Sequence, residues 1–224
     1  ESEEKRNRGV AIADVVIAAH NEESCIRARI ANLRALAAPG IRRIWVGDDA
    51  SSDGTRAILE KLAQQDPDLR VIAGATRQGK AGILRQLVAA IDREPDPPDL
   101  LVFTDANTRF DAAAVNELRV PFQDPRVGGV CGRLIFEGPA SAGRELDYWA
   151  RENEWKRAES RADSCVGANG AIYALRRALF WADLPTNTII DDFVIGMKVR
   201  ERGWRMVYRE TALAWRRRLR AGPM

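Results

Sequence analysis

The sequence holds a single histidine, His20, and three cysteines, Cys25, Cys131 and Cys165, in 224 residues. With so few thiols, far apart and with no CxxC pair, neither a disulfide framework nor a zinc site of that type has its ligands. Isolated thiols of this kind suit a reducing compartment, where they pack as small hydrophobes. No serine lies in a G-x-S-x-G elbow and no second histidine exists to activate a cysteine, so covalent triad chemistry lacks its parts. A G-x-x-x-x-G-K-[ST] phosphate loop is absent as well. No run of about 18 apolar residues occurs, so nothing reads as a membrane span. The stretch Glu1 to Arg8 is too charged for a signal peptide. A large excess of one charge is also missing: 35 Lys and Arg against 32 Asp and Glu leave +3, which does not point to nucleic acid. These features together imply a cytoplasmic chain.

What is present is an ordinary globular composition and a regular alternation. Ala13 to Ala19, Ile41 to Gly47, Leu69 to Gly74 and Leu100 to Asp105 are short β-branched or apolar runs, each followed by polar or small residues. Such runs read as buried parallel strands. Between them lie amphipathic stretches, Glu22 to Ala37, Thr55 to Gln65 and Lys80 to Arg93, which read as crossover helices. The implied fold is a single α/β domain with a doubly wound, mostly parallel sheet flanked by helices. Ligands of such sheets bind beyond the carboxyl ends of the strands. After Pro121 the alternation stops. A glycine-rich stretch Gly128 to Gly132 is followed by a helix candidate Arg144 to Arg161, an apolar piece Gly167 to Leu175, a helix candidate Asp191 to Arg202 and a last strand Arg205 to Tyr208.

Polar residues gather at the expected strand ends. His20, Asn21 and Glu22 follow the first strand, Asp48 and Asp49 the second, Arg77 to Lys80 the third, and Asp105, Ala106 and Asn107 the fourth. Asp48 and Asp49 suit a base or ribose hydroxyl, and equally a turn, with Ser52 or Asp53 capping the helix that starts at Thr55. Asp105 and Asn107, at i and i+2, are hard oxygen donors suited to Mg2+ or Mn2+ bridging a diphosphate, although D-x-N is also an ordinary turn. Asp191 and Asp192 open a helix, where they complement its dipole or supply a general base. Arg77 to Lys80, at a strand-to-helix junction, can meet phosphate.

Alone, each element is weak; their order is specific. I-A-A-H-N-E-E, G-D-D-A-S-S-D-G-T, G-K-A, F-T-D-A-N-T, G-A-N-G-A-I-Y-A and I-D-D-F-V, in that sequence over residues 13 to 215, resemble the family 2 glycosyltransferases, inverting enzymes with a GT-A fold. The resemblance implies a nucleotide-sugar-binding half, residues 13–110, and an acceptor-side half, residues 111–215. It places Ala19, His20 and Glu22 around the nucleotide base, with Ala18 where a proline is usual. Asp49, with Asp48 beside it, would contact uracil or ribose, and Lys80 the diphosphate. Asp105 and Asn107 take the place of the family's D-x-D as metal ligands, one charge short. Asn169 and Gly170 fall near the donor sugar. Asp192 matches the acid that deprotonates the acceptor, with Asp191 in support.

The implied reaction moves a sugar from a nucleotide diphosphate sugar, UDP by family habit, to a hydroxyl on a glycan or lipid-linked acceptor. A nucleotidyltransferase would prefer a glycine-rich basic loop after the first strand, where His20, Asn21 and Glu22 stand instead. An inactive relative that binds nucleotide sugar is the other alternative. The Q-x-x-R-W block of processive members does not occur, leaving either a shorter non-processive relative or a chain cut short. Arg216, Arg217, Arg218 and Arg220 form a basic cluster that is either a solvated end or a patch for a membrane surface.

Overall fold

A central strand covered on both faces must be apolar on both. In β1 (Ala13–Ala19) the side chains of Val15, Val16 and Ile17 are wholly buried. The computed structural model describes residues 11–36, 41–137 and 143–217. From β1 the chain runs through α1 (Ile26–Ala35), β2 (Ile41–Asp48), α2 (Thr55–Gln65), β3 (Leu69–Ala73), α3 (Gly79–Asp92) and β4 (Leu100–Asp105). It continues through β5 (Thr108–Phe110), α4 (Ala114–Arg119), β6 (Val127–Glu137), α5 (Gly143–Ala162), β7 (Tyr173–Arg176), α6 (Asp191–Glu201) and β8 (Arg205–Arg217).

All eight strands form one sheet in the order β3-β2-β1-β4-β7-β6-β8-β5. β3, β2, β1 and β4 are parallel neighbours, as the strand and helix alternation requires. Beyond β4 the sheet is mixed: β7 is antiparallel to β4 and β6, β8 is parallel to β6, and β5 is antiparallel to β8. Two cores result. Val15 and Ile17 face one, with Ile26, Ile30 and Leu33 of α1, Leu59 of α2, and Val115 and Leu118 of α4. Val16 faces the other, with Ile83, Leu84, Leu87 and Ile91 of α3, and Ile195 and Val199 of α6. One polar group belongs to this architecture: Asp14, fully buried, accepts from Arg42 at 2.7 and 3.0 Å and from Trp45 Nε1 at 2.8 Å, tying β1 to β2.

The second half differs most from the sequence pattern. The glycine-rich stretch read as irregular lies in the first half of an eleven-residue strand, β6. Its glycines leave no β-propensity signal, yet they are what lets β6 lie against its neighbours. A Cβ on Gly129 would stand 2.2 Å from Met206 Sδ, and one on Gly132 would stand 2.7 Å from the Ala212 carbonyl oxygen. Beside Gly132 the β6–β8 register jumps, from Gly132↔Arg209 to Arg133↔Leu213. β8 is therefore a bulged strand of thirteen residues, where apolar periodicity marks only Arg205 to Tyr208. The apolar piece Gly167 to Leu175 supplies only the short β7, and α1 starts four residues after Glu22. Ala37, the expected end of that helix, lies outside the described residues.

Candidate functional site

The first two strand-end motifs lace to each other. His20 Nδ1 lies 2.7 Å from the Asp49 carbonyl oxygen, and Asn21 Oδ1 accepts from Ser52 N at 2.8 Å. Glu22 N donates to Thr55 Oγ1 at 2.7 Å, and Asp53 joins in by accepting from Glu23 N at 3.2 Å and Thr55 N at 3.0 Å. Asn21 has φ 56° and Ala50 φ 53°, a left-handed conformation that asparagine tolerates and alanine resists.

The aspartates of this region are held by the protein. Asp48, fully buried, accepts from Arg56 Nε at 2.8 Å and Ser51 N at 3.2 Å. Asp49 uses one oxygen for Gln78 N at 2.6 Å and the other for Gly79 N at 2.9 Å, while its own N–H donates to the Ala19 carbonyl at 2.8 Å. Asp49 thus clamps β1, β2 and the start of α3 together, which fixes where the next residue, Lys80, projects.

Lys80 is the centre of a cluster of charged groups. Its Nζ donates to Asp105 Oδ1 at 2.9 Å and lies 3.7 Å from Asp191 Oδ2. Burial pulls its ammonium toward neutrality, but Asp105, Asp191 and Asp192 outweigh burial and raise its pKa. The other Asp105 oxygen accepts from Arg216 Nη2. Asp192 Oδ2 accepts from Gly170 N at 2.6 Å and its Oδ1 from Phe193 N at 2.9 Å. A Cβ on Gly170 would stand 3.1 Å from that same Asp192 oxygen and 3.2 Å from Lys80 Nζ, so a side chain there would crowd both groups.

Asp191 behaves differently from its neighbour. It is 3% exposed, its Oδ2 has no hydrogen-bond partner, and burial pushes its pKa up to about 6, with Lys80 opposing and Asp192 and Asp105 adding to the rise. Asp192 is part-exposed and open to an incoming group. Asn169 is buried, and its Oδ1 accepts from Ala171 N at 3.1 Å, shaping the turn that presents Gly170.

Asn107 stands apart from this cluster, exposed, on the wall of a cavity of about 810 Å3 that Glu22, Arg29, Arg109, Glu137 and Trp215 also line. Asp105 and Asn107 are oxygen donors at the open end of β4. Among the described residues no group of three or more His, Cys, Asp or Glu is assembled as a cage. The donor set therefore fits a hard divalent cation that takes further oxygens from a bound diphosphate, and does not fit an all-protein site.

Sequence reasoning passed over four residues of the site. Arg216, read as part of a basic tail, points inward to Asp105; Arg218 and Arg220 lie outside the described residues. Arg29, 2% exposed, donates to Thr104 Oγ1 at 2.8 Å, and Thr104 in turn donates to the Ala171 carbonyl at 2.8 Å, fastening the end of β4 to the Gly170 turn. Burial pulls the Arg29 guanidinium down to about 9, with Asp105 opposing. Lys156, on α5, donates to the Gly167 carbonyl at 3.3 Å and pairs with Glu152 at 3.1 Å. An arginine in an apolar helix stretch, as Arg29 is between Ile26 and Leu33, was the one available signal.

A GT-A architecture with acids and one lysine at the strand ends defines the class, and residues 14–184 match Glycosyl transferase family 2. The chain belongs to that family. It is 32% identical over 141 residues to a beta-monoglucosyldiacylglycerol synthase from Synechocystis sp., covering 61% of this chain and 27% of the relative. It is 24% identical over 209 residues to a poly-beta-1,6-N-acetyl-D-glucosamine synthase from Staphylococcus aureus, covering 89% and 48%. The chain thus spans about half or less of the length of these two relatives. Among solved structures, the mannosyltransferase PcManGT from Pyrobaculum calidifontis, in complex with GDP-Man and Mn2+, superposes with a TM-score of 0.75 at 22% identity over 96% of this chain and 59% of its own. S. aureus TarS 1-349 in complex with UDP-GlcNAc does so with a TM-score of 0.67 at 16% identity over 94% and 60%. Among the described residues no helix is long and apolar enough to cross a membrane.

Proposed function

We propose that the chain transfers a sugar, with inversion, from a nucleoside diphosphate sugar to an acceptor hydroxyl. The observation that carries this reading is the convergence on one lysine. Lys80 touches Asp105, on the donor side, and lies 3.7 Å from Asp191, which precedes the acceptor-side acid Asp192. Residues 13–110 hold the donor and residues 111–215 face the acceptor.

Lys80 and Arg216, both now on Asp105, turn to the diphosphate as it enters and neutralise charge on the leaving group. Ala19, His20, Glu22 and the Asp48–Asp49 loop form the floor on which the base and ribose lie. Asp105 and Asn107 would hold Mg2+ or Mn2+, which when bound would supply Lewis-acid stabilisation of the leaving diphosphate. Asn169 and Gly170 border the donor sugar. Asp192, reachable from solvent and oriented by Gly170 N, takes the proton of the acceptor hydroxyl as its oxygen attacks the anomeric carbon. Asp191 is too buried to touch the acceptor and acts through Lys80. The solved relatives carry GDP-Man in one case and UDP-GlcNAc in another, which supports a nucleoside diphosphate donor and leaves uridine as the first to try.

The test is release of nucleoside diphosphate from a panel of UDP- and GDP-sugars with Mn2+, followed by NMR of the product's anomeric configuration. Release from one donor that EDTA abolishes, with inverted product, is the expected result. No release above background from any donor overturns the reading, and retained configuration overturns direct displacement.

A further inference from the structure

Both oxygens of Asp105, the carboxylate at the open end of β4, are occupied by the protein's own cations. Oδ1 accepts from Lys80 Nζ at 2.9 Å, and Oδ2 accepts from Arg216 Nη2. The two cations differ in what else they touch. Lys80 lies 3.7 Å from Asp191 Oδ2 and keeps a carboxylate neighbour if it releases Asp105. Arg216 pairs with no other carboxylate among the described residues, and its Nε is buried without a hydrogen-bond partner. Stranding a part-buried guanidinium of this kind is costly. Its backbone is pinned on both edges of β8, opposite Phe136 of β6 and Thr108 of β5. Thr108 directly follows Asn107, so the arginine is held beside the segment that carries both oxygen donors.

We infer that Arg216 is a latch on Asp105, keeping a divalent cation out until a nucleoside diphosphate offers the guanidinium another partner. The inference rests on the glycosyl-transfer reading above and adds to it the control of its metal site. Because the strand is fixed on both edges, release is a rotation of the side chain and not a fraying of β8. A cation arriving alone must displace Arg216 and leave its charge unpaired. A cation arriving with a diphosphate need not, because phosphate oxygens accept from a guanidinium as a carboxylate does. Metal and nucleotide therefore bind with positive coupling, and the coupling resides in one residue. Without the latch, free cation would settle on Asp105 whether or not a donor were present; with it, the metal site is completed only alongside the diphosphate.

The experiment titrates Mn2+ into the whole chain, without nucleotide and with saturating UDP or GDP, and reads free Mn2+ from its electron paramagnetic resonance signal. Arg216→Gln is compared with Arg216→Lys, which keeps the charge, and with Arg109→Gln, which removes a charge paired with Glu137 and not with Asp105. Without nucleotide, Arg216→Gln should bind Mn2+ about tenfold more tightly than the parent, with the other two variants within about twofold of it. The tightening of Mn2+ by nucleotide should be about tenfold smaller in Arg216→Gln than in the parent. A misfolded variant would lose Mn2+ and not gain it. Equal affinity of Arg216→Gln and the parent for Mn2+ alone overturns the inference, as does an equal gain in Arg109→Gln, which would reduce the effect to general charge. Mn2+ bound undiminished by Asp105→Asn would put the ion elsewhere and overturn it too. If neither nucleotide binds, the glycosyl-transfer reading fails, and the nucleotide-free titrations still judge the latch separately.

Discussion

Two adjacent aspartates, Asp191 and Asp192, stand in different surroundings, one buried and one part-exposed. The raised pKa of Asp191 means that the folded chain holds that proton more tightly than the unfolded one. Its cost to folding is therefore absent below the unfolded value of about 3.9 and fully present above about 6, on the order of 3 kcal/mol. Asp191→Asn removes a charge that is costly only at the higher pH. Thermal melts should show the variant gaining stability over the parent at pH 8 and little at pH 4, and an equal gain at both would contradict the assignment. Asn107 gives a second residue-scale outcome. Asn107→Asp supplies the missing charge beside Asp105, so calorimetry should show Mn2+ bound on the order of tenfold more tightly; unchanged affinity would remove Asn107 from the metal site.

Among the elements, β6 shows how a strand can escape sequence reading. Its glycines are required by neighbours that come from elsewhere in the chain, Met206 against Gly129 and the Ala212 carbonyl against Gly132. A Met side chain can move and a backbone carbonyl in a bulged ladder cannot. Gly132→Ala should therefore cost about 2 kcal/mol and Gly129→Ala less, read from urea midpoints. The reverse order would mean that the bulge yields more easily than the core. What was legible in the sequence is what local pattern encodes: β1 to β4, the helices α2, α3, α5 and α6, and the acids at the strand ends. Arg216 and Arg29 were not legible, because their roles depend on which strand lies beside which. Arg216 reaches Asp105 only because β8 pairs with β6 and β5 across a reversed edge of the sheet.

At the scale of the molecule, the two halves of the chain share one sheet. β7, from the second half, pairs with β4, from the first, and Thr104 bonds the Ala171 carbonyl just beyond that pair. Unfolding followed by far-ultraviolet circular dichroism and by tryptophan fluorescence should give coincident transitions; two separated midpoints would show that the halves fold independently. This continuity brings Lys80, from the first half, and Asp192, from the second, to the same backbone glycine, Gly170. The most direct test of the proposed base is Asp192→Asn, assayed for nucleotide binding by calorimetry and for sugar transfer with whichever UDP- or GDP-sugar the donor panel selects. A base that acts only in the transition state predicts nucleotide affinity within about twofold of the parent and transfer reduced by at least about a hundredfold. Transfer at the parent's rate would contradict the account.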